Sequence, residues 1–146
     1  MLDALKKEGF QTIGVGKIYD IFAGKSVMFS YSNKGNEANM VRTIDLADAD
    51  FEGLCYVNLV DTDMIYGHRR DIAGYTKALN TADRQFGELM AKMGPDDILM
   101  VTADHGCDPG YKGTDHTRED IPCLIWGPSL KKGVDIGTRD TFADMA

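Results

Sequence analysis

The chain has 146 residues, of which 43% are hydrophobic and 27% charged, the composition of one ordinary globular domain, or part of one, with a single sizeable core. A net charge of −7 argues against nucleic acid or an anionic membrane as partner, since either wants a basic face. No apolar run approaches the roughly 20 residues of a membrane span, and Met1 leads into Lys6, Lys7 and Glu8 rather than a signal sequence. The expectation is a soluble, cytoplasmic protein. Cys55, Cys107 and Cys123 are odd in number and lack CxxC spacing, so they read as reduced thiols rather than a disulfide framework or a zinc knuckle.

In chain order, residues 2–8 predict a helix stopped by Gly9, and residues 11–16 a strand that Lys17 closes. Residues 25–35 are ambiguous: Val27, Phe29 and Tyr31 alternate before a turn at Asn33, Lys34 and Gly35. A helix is expected over 37–49 and a strand over 54–60. Asp71 can cap a long helix in which Ile72, Tyr75, Leu79, Ala82, Phe86, Leu89 and Met93 form one apolar stripe, expected to face a sheet. Gly94 and Pro95 end it. Residues 98–102 predict a buried strand and 122–126 another, with a Gly- and Asp-rich polar loop between them, and a further helix begins near Thr138. Strands separated by helices imply an α/β fold: a mainly parallel sheet with helices on both faces.

The chain has three histidines, and each stands beside aspartate: Asp63 with His68, Asp104 with His105, and Asp115 with His116. Imidazole and carboxylate together suit divalent ions such as Zn, Mn or Fe. In parallel sheets ligands gather at the carboxyl ends of strands. The cluster at 61–68 follows one predicted strand, Asp104 and His105 follow another, and the loop bearing His116 is long enough to fold back over the same edge. One shared metal site is the economical reading. Any single His beside an Asp is ordinarily just a hydrogen-bonded pair; what departs from that is the placement of all three at strand ends. Asp61 and Asp63 could each point into the site, Asp63 being the better candidate. Arg69, Arg70 and Arg118 fit a phosphate clamp or plain ion pairs equally well, and Lys17 is a further open candidate for substrate binding.

Four runs carry a resemblance: GKIYDIFAG (16–24), GLCYVNLVDTDMIYGHRRD (53–71), TADHG (102–106) and GTDHTREDIP (113–122). Together they resemble the phosphopentomutase family, within the alkaline phosphatase superfamily, over nearly the whole chain. TADHG alone would point only to the superfamily, which also holds cofactor-independent phosphoglycerate mutases. The spacing of Asp63 and His68, followed by Arg69 and Arg70 and by GTDHTRE downstream, is more specific; phosphoglycerate mutases set that Asp and His one residue closer. The resemblance implies an alkaline-phosphatase-like core and two divalent metal ions, typically manganese, one bound by Asp104 and His105 and the other by Asp63, His68 and His116. It also implies a pentose phosphate substrate and exchange between ribose 1-phosphate and ribose 5-phosphate through a phosphothreonine enzyme.

Phosphopentomutases carry, upstream of the matching region, another metal-binding Asp, the Thr nucleophile and an inserted cap domain, so no catalytic nucleophile is assigned within this chain. The ends, without a cap before Leu2 and with a helix barely begun near Thr138, read as cut. The expectation is therefore residues 1–146 as the carboxy-terminal part of a catalytic core, with an exposed sheet edge open to self-association. Cys107 and the run Gly110-Tyr111-Lys112 depart from the loop expected after TADHG in this family. A metal-dependent phosphatase or a phosphoglycerate mutase of the same superfamily, and a non-catalytic metal-binding fragment, stand as alternatives.

Overall fold

The run Thr12-Ile13-Gly14-Val15 is rich in β-branched side chains, and it forms the middle of the molecule. The computed structural model describes residues 1–145. Strand β1 (Gln11–Val15) is flanked by β2 (Phe29–Tyr31) and β3 (Gly53–Val57), both parallel to it, in the order β2-β1-β3. Ile13, Val15 and Leu46 form the core, with Tyr31, Phe51, Cys55 and Val57 packed against them. Thr12 is fully buried and satisfied: its hydroxyl donates to the Ser26 carbonyl at 2.7 Å and accepts from the Met28 amide at 3.2 Å.

Helix α1 (Leu2–Lys7) ends as predicted, just before Gly9 at φ +89°. A short helix α2 (Ile18–Ile21) that the sequence did not signal follows β1. The turn into it runs through Gly16 at φ +80°, where a Cβ would lie 2.6 Å from the Asn58 carbonyl, so only glycine fits. Helix α3 (Gly35–Leu46) begins earlier and ends earlier than expected. Its start is set by Asp61, whose carboxylate accepts from the Asn36 amide at 2.7 Å while the Asn36 side chain accepts from the Asp61 amide at 2.9 Å. Strand β3 stops at Val57 because β1 ends at Val15, whose carbonyl accepts from Asn58 at 3.0 Å.

Helix α4 (Ile72–Met90) is capped by Asp71, which accepts from the Gly74 amide at 2.9 Å. Its apolar stripe does not lie on the three-stranded sheet. Helix α3 packs on β1 and β3, and α4 packs on α3 as an outer layer. Leu89 is therefore buried while Ile72 and Leu79 stay exposed.

The last two strands depart most from expectation. β4 (Leu99–Thr102) and β5 (Cys123–Trp126) pair with each other, antiparallel, in a separate two-stranded sheet. Neither is buried, because each has a single neighbour; Met100, Leu124 and Ile125 are exposed. An apolar groove of about 190 Å³ separates this ribbon from Phe86 and Met90 of α4. The helix expected near Thr138 is one 3-10 turn, Phe142–Met145, and Ala146 lies outside the described residues. No helix among the described residues is long and apolar enough to cross a membrane.

Candidate metal centre

After β3 the chain leaves the sheet and enters a six-residue π-helical segment, Thr62–Gly67. Widened turns of this kind re-aim side chains and recur at functional sites. Here the segment presents Asp63, and the next residue, His68, continues the same curl, its amide donating to the Asp63 carbonyl at 3.0 Å. Gly67 is buried where the polypeptide passes close behind: a Cβ there would meet Cys107 Sγ and lie 2.9 Å from the Thr62 carbonyl. Asp61, two residues before Asp63, is turned away to cap α3, which decides between the two aspartates.

The loop between β4 and β5 folds back as expected, pinned by an antiparallel bridge between Gly106 and Thr117. That fold brings His116 to the π-helical segment. One ligand atom each of Asp63, His68 and His116 lies within 4.8 Å of the others. Both imidazole Nε2 atoms stand 3.4 Å from Asp63 Oδ1. This is too long for a good hydrogen bond. It matches the spacing of about 3.3 Å along the edge of a tetrahedron whose bonds to a central ion are about 2.0–2.1 Å.

Two further observations support the fit. Asp63 Oδ1 is shielded from solvent and has no hydrogen-bond partner, a condition that costs a charged group more than the usual 1–3 kcal/mol or so of a lost bond. His68 Nδ1 lies 2.5 Å from the Thr114 carbonyl. A carbonyl can only accept, so Nδ1 carries a proton, which leaves Nε2, the atom facing the Asp63 oxygen, as the ring nitrogen available to a metal. A divalent ion between Nε2 and the carboxylate would be held by both.

The second predicted pair is only partly drawn in. The His105 ring stacks on His116, with centroids 3.6 Å apart and planes 20° from parallel. Asp104 is 82% exposed, with Oδ1 3.6 Å from His105 Nε2. The two clusters meet through loops rather than along one sheet edge, since β3 and β4 belong to different sheets. Beside His116 opens a cleft of about 440 Å³ lined by Tyr111, Thr117, Arg118 and Glu119. Arg118 thus reaches the neighbourhood of the triad, Arg69 is exposed, and Lys17 Nζ lies 2.8 Å from the Met64 sulfur on the π-helical segment. Arg70 departs from the phosphate clamp considered for it, because its guanidinium is engaged with backbone carbonyls.

In the sequence alone Cys107 and Tyr75 have no role at the site: one reads as a reduced loop thiol and the other as part of an apolar helix stripe. Cys107 packs against Gly67, and burial first, then the neighbouring Asp63 carboxylate, pushes its thiol pKa up. Tyr75, in the first turns of α4, is raised by burial and then by the negative charges of Cys107, Asp63, Asp108 and Glu119. The one signal for Cys107 was its position two residues after His105.

Residues 5–146 match the Metalloenzyme superfamily. Among curated relatives, the chain is 50% identical over 146 residues to the phosphopentomutase of Carboxydothermus hydrogenoformans, covering 100% of this chain and 38% of the relative. It is 48% identical over 146 residues to that of Caldanaerobacter subterraneus subsp. tengcongensis, covering 100% of this chain and 37% of the relative. It is 50% identical over 145 residues to that of Clostridioides difficile, covering 99% and 37% respectively. The chain thus spans a little over a third of the length of the curated relatives it matches. A triad suited to a divalent ion and a match over almost every residue lead to one assignment: the chain belongs to the Metalloenzyme superfamily.

Proposed function

We propose that the chain supplies part of the metal centre of a phosphopentomutase, which exchanges a phosphoryl group between the 1 and 5 positions of ribose or deoxyribose phosphate. The observation that carries the reading is the Asp63 oxygen left without a partner between two imidazoles, one with its tautomer set by Thr114. The 50% identity to a phosphopentomutase supplies the reaction class. In this reading Asp63, His68 and His116 hold one divalent ion, Asp104 and His105 contribute to a second, and manganese is the metal at both.

Divalent ions at such a site stabilise the equatorial oxygens of an in-line phosphoryl transfer and lower the charge barrier to attack on phosphorus. The chain's own residues orient and shield. The Thr114 carbonyl keeps His68 in one tautomer, and the His105 ring covers one face of His116. In this reading Arg118, at the cleft beside His116, meets a phosphate, and the exposed Arg69 and Lys17, whose Nζ lies 2.8 Å from the Met64 sulfur, are further substrate-binding candidates.

Titration of the purified chain with Mn²⁺ or Zn²⁺ by calorimetry tests the ligand set. One ion should bind more tightly than a second, and His68→Ala should weaken the tighter site by tenfold or more. Two equal sites, or binding indifferent to His68→Ala, would overturn the assignment.

A further inference from the structure

We infer that Arg70 is the positioning residue of this centre: it holds the loop that carries His116 in register with the segment that carries Asp63 and His68. The inference rests on the reading of those three residues as metal ligands.

Arg70 Nε donates to the Gly113 carbonyl at 2.5 Å, Nη1 to the Asp108 carbonyl at 2.7 Å and Nη2 to the Asp115 carbonyl at 2.6 Å. His68 Nδ1 takes the carbonyl in between, that of Thr114. Three successive carbonyls, 113 to 115, are therefore held by Arg70, His68 and Arg70 in turn, and the next residue is His116. The loop has no helix or regular strand of its own between Thr102 and Cys123 and contains Gly106, Gly110 and Gly113. Ordering such a segment costs about 1–2 kcal/mol of backbone entropy per residue. A planar fork that engages carbonyls at both ends of the stretch 108–115 opposes that cost at the point where His116 must be placed.

Arg70 itself sits at φ +56°, a left-handed conformation unfavourable to a residue with a side chain. Among the described residues, no ion pair includes Arg70. Its positive charge, on the residue two after His68, thus has no carboxylate at ion-pair distance, and this gives the test a sign. By Coulomb's law alone, removing a positive charge beside a cation site tightens cation binding. Loss of a positioning residue weakens it.

The experiment is Co²⁺ titration of the chain and of Arg70→Gln, Arg70→Lys and His68→Ala, followed by visible absorption of the bound ion. Amide hydrogen exchange of the metal-free proteins runs alongside, with the β1 and β3 amides reporting that each variant is folded. Expected are tenfold or more weaker binding and an altered Co²⁺ spectrum in both Arg70 variants, with faster exchange over residues 108–116 before any metal is added. Lys keeps the charge but not the fork, so it should not rescue. Arg70 variants that bind within twofold of the unaltered chain, or more tightly, while His68→Ala loses the tight site, would overturn the role of Arg70 and leave the ligand set standing. Unchanged binding by His68→Ala would overturn the ligand set and this inference with it.

Discussion

Strands β1 and β4 are both short and apolar, yet β1 is buried from Thr12 to Val15 while β4 keeps Met100 open to solvent. The difference lies in their neighbours. β1 has a parallel partner on each side and α1, α2 and α3 packed on it, whereas β4 has only β5. Apolar composition makes burial favourable, but it does not supply the surface to be buried against. The candidate metal centre joins these two unequal regions: Asp63 and His68 follow β3 in the packed half, and His116 comes from the loop between β4 and β5. Carbonyls 113 to 115 are the stitches between them.

The contrast is most directly broken in the core. Met40 of α3 is 1% exposed and Leu124 of β5 is 60% exposed. Met40→Ala should cost about 2–5 kcal/mol, and Leu124→Ala within about 0.5 kcal/mol, as read from denaturant midpoints. Equal costs would mean that the ribbon is as closely packed as the parallel sheet.

Alkali sharpens it next. Burial pushes the Cys55 thiol on β3 from 9.0 to about 11, so the folded chain keeps a proton that an unfolded chain has released. The stability due to this group is whole below pH 9.0 and is lost as pH rises to about 11, by roughly 2–3 kcal/mol. Midpoints measured across that window should fall more steeply for the unaltered chain than for Cys55→Ala. Parallel slopes would show that the β3 thiol is not shielded.

The smallest effect is expected where α4 starts, beside the candidate metal centre. Asp71→Ala removes the bond to the Gly74 amide and should lower stability by about 1 kcal/mol, with faster amide exchange confined to the first turn of α4. Exchange that spreads into the β4–β5 ribbon would show that the cap also braces that region.

Much of the molecule was legible one element at a time. The stop at Gly9, the strand through Ile13, the Asp71 cap and the strand at Cys123–Trp126 each follow from turn chemistry, β-branching or capping within a few residues. The same local reading placed Asp63, His68 and His116 in loops after or between strands, where ligands collect. It could not tell that β4 and β5 would pair with each other, nor that α3 would stand between α4 and the sheet. Partner choice depends on which apolar faces find one another across the folded chain, and strand sequence hardly encodes it. Nor could it separate Asp61 from Asp63, because the choice was made by Asn36, 25 residues earlier. Arg70 shows the same limit. An arginine beside acidic loops has the same sequence signature whether it meets a phosphate or a carbonyl, and what it meets here lies 38 to 45 residues away. By itself, the sequence determined which side chains could bind a cation and which short segments would be helix or strand, since both depend on chemistry carried within a turn or two. Only the tertiary structure decided which of those side chains converge, because convergence is set by long-range hydrogen bonds whose partners the local pattern does not name.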